Sequence, residues 1–94
     1  MGRIARPKPQ RLGEKLLKIR TSLSLSQDQM LELLGMADER FRSAVSGYEL
    51  GTREPPLPIL LTYAEIAGVW VDLLIDDDLE LPRKLPGNQR KVMR

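Results

Sequence analysis

The side chains in this chain that could do chemistry are its cations and carboxylates, with a short stretch of serines and a glycine between them. Cysteine and histidine are both absent, which removes thiolate nucleophiles, disulfides, imidazole bases and the commonest metal ligands. The densest carboxylates, Asp76-Asp77-Asp78, are adjacent rather than convergent, and no glycine-rich phosphate loop accompanies them. An enzyme, a cofactor and a metal site are therefore not expected. What remains is recognition of a polyanion.

The cations are segregated. Residues 1–20 carry seven basic side chains against Glu14 alone, a charge of +6, and residues 83–94 carry five with no acid, a charge of +5. The middle holds only Arg40, Arg42 and Arg53 against twelve acids, a charge of −9, and the whole chain comes to +2. Basic ends on an acidic body imply that a polyanion is held by the ends and by whichever body face carries the few arginines. In the N-terminal segment those residues are Arg3, Arg6 and Lys8, interrupted by Pro7 and Pro9, a composition that reads as a flexible basic arm over 1–9.

These groups need elements to position them. Ninety-four residues allow one small domain. Leu12, Leu16, Ile19 and Leu23 recur at helical spacing and predict helix 1 over about 10–21. Ser26-Gln27-Asp28-Gln29 has the form of a capping box, flanked by Leu25 and Met30 as a hydrophobic staple, so helix 2 runs over about 27–34 and stops at Gly35. Asp38 can cap a third helix with Phe41, Ala44 or Val45, and Tyr48 on its buried face, ending at Gly51. Its other face carries Glu39, Arg42, Ser43, Ser46 and Gly47, which is lean and polar. Leu57–Gly68 reads as helix 4 and Val69–Ile75 as helix 5, followed by an acidic and then basic tail over 77–94 expected to be disordered. No alternating strand pattern and no repeat appears, so the expected fold class is all-α, with five helices in a domain over 10–76.

Two short helices joined by a turn, the second with a lean polar face, make the helix-turn-helix pattern. Arg20, Leu25-Ser26-Gln27, Leu34-Gly35, the run Ser43 to Gly51, Arg53 and Pro55 then fit one family at matching spacings. So do Leu57, Leu60-Leu61, Ala64, Gly68-Val69, Asp72 and Leu74. On these residues the chain resembles the Cro/C1-type, or xenobiotic-response-element (XRE), helix-turn-helix family over about 11–75. The resemblance implies a lambda-repressor-like bundle whose helix 3 enters the major groove of double-stranded DNA. Two positions depart from the pattern. Residues 36–47 are twelve where the family usually has eight, so the turn is a longer loop or helix 3 begins a turn earlier. Leu31 stands where the family prefers alanine, which should push helix 3 outward.

By that resemblance Gln27 contacts a phosphate or supports the recognition helix. Arg42, Ser43 and Ser46 face the bases, an arginine fork suiting the guanine O6/N7 edge, while Gly47 permits close approach. Arg40 in the longer turn reaches a phosphate, and Thr52 and Arg53 resemble a backbone-clamping loop, although Glu54 blunts the field there. Arg20 and Glu49 match a semi-buried ion pair of phage repressors. Removing one partner of such a pair would cost roughly 3–5 kcal/mol if it were fully buried. Trp70, Val71 and Leu74 match the helix through which such domains often dimerise; alternatively Trp70 covers the bottom of the core.

The sequence thus points to a small DNA-binding transcription regulator, a repressor acting as a homodimer on a palindromic operator. The rival is a protein-interaction module of the same fold, an antitoxin-like partner, which the acidic middle favours. No apolar run is long enough to span a bilayer and no signal peptide is evident, so the expected location is the cytoplasm, without membrane contact.

Overall fold

A computed structural model describes residues 9–87. Over them the chain forms an all-α helix-turn-helix bundle of five helices: α1 Leu12–Ser22, α2 Gln27–Leu33, α3 Ala44–Leu50, α4 Leu57–Ala67 and α5 Asp72–Ile75, with a 3₁₀ turn at Glu39–Phe41. The arm residues Arg3, Arg6 and Lys8 lie outside the described residues.

The apolar stripe of α1 makes the floor of the core, with Leu16 and Ile19 fully buried against Met30, Val45, Tyr63 and Leu74. Helix α2 begins with the complete capping box. The amide of Gln29 donates to Ser26 Oγ at 3.0 Å and the amide of Ser26 donates to Gln29 Oε1 at 2.8 Å. Helices α1 and α3 approach so closely that a Cβ on Gly13 would stand 2.7 Å from the carbonyl oxygen of Glu49. An alanine there would wedge the two apart.

The longer turn is a loop that holds a 3₁₀ turn, and α3 does not begin a turn earlier. Asp38 caps the 3₁₀ turn instead, Oδ1 accepting from the amide of Arg40 at 3.0 Å. Ser43, at φ −101° and ψ 12°, then breaks the helical path before α3 starts at Ala44. The expected continuous helix from Asp38 is thereby corrected. Leu31 and Met36 are both buried, so the larger side chain on α2 and the longer turn fill the core together.

Helix α5 is also shorter than the sequence suggests. Gly68 takes a left-handed conformation at φ 77° and ends α4, and the chain does not turn helical again until Asp72. A Cβ on Gly68 would collide with the backbone of Gly87, because the segment after α5 packs back over the end of α4. Residues 77–87, expected as the start of a disordered tail, are thus part of the body: Leu81 is buried and Leu85 packs against the core. Apolar burial explains why the domain does not stop at residue 76.

Candidate nucleic-acid interface

Helix α3 is held in place by a buried ion pair. Arg20 of α1 donates Nε to Glu49 Oε2 at 2.6 Å and Nη2 to Oε1 at 3.1 Å, and its Nη1 reaches the carbonyl of Leu25 at 3.0 Å. Only 14% of the Arg20 side chain and 6% of the Glu49 side chain are exposed. The hydrogen bond to Glu49 raises the pKa of Arg20, against the opposing effect of burial. Gln27, at the start of α2, donates Nε2 to the same Glu49 carboxylate at 3.1 Å. One acid on α3 therefore ties together side chains from α1 and α2. Beneath this network the Tyr63 hydroxyl is buried with no hydrogen-bond partner among the described residues, and burial pushes its pKa up.

The residues expected to face DNA fall into two groups. Arg40 and Arg42 ride on the 3₁₀ turn. Arg42 therefore precedes α3 rather than lying on its polar face, because the helix starts two residues later. Each has an acidic neighbour: Arg42 Nη1 donates to Glu39 at 3.0 Å, and Arg40 Nε lies 3.5 Å from Asp38 while its guanidinium stacks 5.0 Å from the Phe41 ring centre. All four side chains are more than half exposed, so these pairs are weak and open to exchange.

The second group is the seat at the end of α3. Thr52 and Arg53 both donate their amides to the carbonyl of Gly47, at 3.0 and 3.2 Å. A Cβ at Gly47 would stand 3.0 Å from the Cβ of Arg53. The missing side chain of Gly47 is thus filled by the protein's own loop, a use the sequence did not suggest. Arg53 is exposed and makes no ion pair among the described residues. Ser43 is exposed at the N-cap of α3 without capping it through its hydroxyl, and Ser46 is half-buried.

Of the residues expected at a dimer contact, Trp70 is 78% exposed and Val71 partly buried. Leu74 is fully buried in the core of the single chain. It cannot meet a second copy without unfolding α5, which corrects that expectation.

The sequence reading missed a cation cluster on α1. Lys15 is buried at 2% exposure, and its ammonium donates to the carbonyls of Leu73, Asp76 and Leu79 at 2.7, 2.9 and 2.8 Å. Arg11 makes a two-pronged pair with Glu80, at 2.9 Å for each prong. The signal was present, since Lys15 stands three residues after Leu12 and four before Ile19, on the apolar stripe itself. Three of the cations counted in the basic N-terminal segment thus have partners within the chain, Lys15 and Arg20 in the interior and Arg11 at the surface.

No family model and no solved structure matches the chain. Three proteins of Bacillus subtilis (strain 168) do. The chain is 40% identical over 63 residues to the SPbeta prophage-derived uncharacterized HTH-type transcriptional regulator YonR, across 67% of this chain and 55% of that protein. It is 36% identical over 63 residues to the uncharacterized HTH-type transcriptional regulator YqaE, across 67% of this chain and 51% of that one. A third, the uncharacterized HTH-type transcriptional regulator YobD, is 31% identical over 75 residues, across 76% of this chain and 63% of its own length. The chain therefore spans less than two thirds of each of these relatives. Over most of its own length it is related to HTH-type regulators.

Proposed function

We propose that this protein binds double-stranded DNA in a sequence-dependent manner and regulates transcription, as a repressor of the Cro/C1 type. The observation that carries the reading is the Arg20–Glu49–Gln27 network, which fixes the short α3 rigidly against α1 and α2. A recognition helix of seven residues positions side chains well only if its own orientation is locked. The similarity to HTH-type transcriptional regulators supports the same reading.

On this reading Arg42, Ser43 and Ser46 face the bases at the start of α3, and Arg40, Thr52 and Arg53 grip phosphates on either side. The arm residues Arg3, Arg6 and Lys8 follow the backbone. Phosphate contact releases the surface carboxylates Glu39 and Asp38 from their arginines at small cost. The protein works in the cytoplasm as a homodimer, with exposed Trp70 at the contact between copies and half-sites about one helical turn, or roughly 10 base pairs, apart.

The test is capture of fragmented genomic DNA by the full chain at near-physiological salt, followed by sequencing. Enrichment of a short inverted repeat is the expected result. Arg42→Ala should then lose roughly 1–3 kcal/mol on that repeat and far less on unrelated duplex. Flat recovery, with no sequence enriched, would overturn the reading in favour of a protein partner, which the acidic middle of the chain would suit.

A further inference from the structure

The backbone does not require glycine at position 47. Gly35, Gly51 and Gly68 each take a left-handed conformation, but Gly47 does not; it lies inside α3, where glycine weakens a helix relative to alanine. What the position requires is room. The chain leaves α3 through a tight turn at Gly51, whose amide donates to the carbonyl of Tyr48 at 3.3 Å while that of Thr52 donates to the carbonyl of Gly47 at 3.0 Å. The turn folds residues 52 and 53 back across the end of the helix. The Arg53 amide joins the Gly47 carbonyl at 3.2 Å, and the Thr52 hydroxyl donates to it at 3.4 Å. Three donors thus converge on one oxygen.

The stem of Arg53 then lies where a side chain of residue 47 would stand. A Cβ on Gly47 would meet the Cβ of Arg53 at 3.0 Å and its Cδ at 3.4 Å, with Thr52 Oγ1 at 3.5 Å. Both ends of the aliphatic stem are therefore against the helix, and the guanidinium is carried beyond it. Gly47 donates its amide to the carbonyl of Ser43 at 3.0 Å, so the place that Arg53 takes lies one helical turn from Ser43. Helix α3, whose own residues Ala44–Leu50 include no cation, thereby acquires one from the loop that follows it.

We propose that Gly47 is the positioning residue for Arg53: having no side chain, it lets the arginine pack on α3, so that the recognition helix and its phosphate contact move as one piece. This rests on the DNA-binding reading and deepens it. A cation on a free loop must be ordered when it meets a phosphate, and that ordering weakens binding. A stem already seated on α3 has undergone most of that ordering during folding. The helix itself then sets the distance from Ser43 to the cation. Contact with a phosphate therefore fixes the register in which α3 presents its serines to the bases.

The test uses the full chain in a four-way comparison: wild type, Gly47→Ala, Arg53→Met and the combination. Methionine keeps an unbranched stem and removes the charge. The probe is a mixed-sequence duplex of about three helical turns, titrated over a series of low salt concentrations. Arg53→Met should weaken binding and lower the salt slope by about 1. Gly47→Ala should weaken binding about fivefold, the effect of ordering one long side chain, and leave the Arg53→Met protein unchanged. Equal loss in both backgrounds would mean that the added methyl itself obstructs α3 or the duplex, and loss in neither that Arg53 needs no seat; either overturns the proposal. A second readout needs no DNA. In the free wild type the Hα protons of Gly47 should show nuclear Overhauser contacts to the Hδ protons of Arg53, and Gly47→Ala should raise the mobility of Arg53 Nε in nitrogen relaxation. Missing contacts or unchanged mobility would also overturn it. Should Gly47→Ala fold poorly, a glycine inserted between Thr52 and Arg53 leaves α3 intact, moves the arginine off its seat and should give the same loss; full affinity would overturn the proposal. A wild type that does not bind the duplex removes the DNA-binding reading and the proposal together, whereas one that binds equally well as Arg53→Met removes the proposal alone.

Discussion

The α1 seam and the turn before α3 both pair arginine or lysine with acceptors, but the two are built differently. At the seam Lys15 is almost completely buried and has three carbonyl partners, while Arg11, 31% exposed, holds the 73% exposed Glu80 at the surface with two parallel bonds. At the turn Arg42 meets Glu39 through one bond, with 72% and 83% of the two side chains exposed. A buried ammonium has no water to return to, so its partners are part of the fold. An exposed guanidinium exchanges a carboxylate for water or a phosphate almost freely. Sequence charge alone makes these cations look alike. Burial for Lys15, and the number of partners for Arg11, set those that build the molecule apart from those left free to bind.

The sharpest way to test that division is Lys15→Met. It leaves three carbonyls without their donor and should release the segment after α5, lowering stability by about 3–4 kcal/mol in urea unfolding. An effect below about 1 kcal/mol would mean the seam is no firmer than the surface. Arg20→Ala is next, at about 2–3 kcal/mol, because Glu49, 6% exposed in the intact pair, would keep only Gln27 as a side-chain partner. Double-mutant analysis with Glu49→Gln should show the two effects to be strongly non-additive.

Acid should weaken the seam before the rest of the fold. The amides of Gln10 and Arg11 hold Asp77 below its ordinary pKa, and Arg11 does the same for Glu80. Groups depressed in the folded state stabilise it fully above their unfolded values, and that contribution is lost as pH falls through the lower folded values. Protection of the Gln10 and Arg11 amides against exchange, taken relative to the intrinsic rate at each pH, should therefore fall below the usual carboxylate range while the amides of α3 stay protected. Simultaneous loss would show that the seam and the core open as one unit.

The smallest expected effect is that of Glu39→Gln. Removing the exposed partner of Arg42 should change stability by less than about 0.5 kcal/mol, while binding to a duplex strengthens slightly. A clear loss of stability would make the turn a structural ion pair after all.

Much of the fold could be read from local chemistry. The capping box at Ser26, the stripe of α1 and the glycine ends of α3 and α4 each act within one or two turns of backbone, and each appears where its residues stand. The stretch from Asp38 to Arg42 was harder to read. Asp38 is as good a cap for a 3₁₀ turn as for an α-helix, and the choice depends on Met36 finding space in a core assembled from five helices. Leu74 and Trp70 illustrate the same difficulty. Both are large and apolar and stand on one short segment, yet only packing makes the first core and the second surface.

By itself the sequence determined that the chain is helical, where most helices begin and end, and that its useful chemistry is cationic. Those are properties of neighbours along the chain, set by periodicity, capping and composition. Which cations are available was decided by the tertiary structure. Segments far apart in sequence bring carbonyls and carboxylates to Arg11, Lys15 and Arg20 and leave Arg53 unpaired among the described residues. Desolvation and partner geometry depend on what the rest of the chain places around a charge, and no local pattern encodes that.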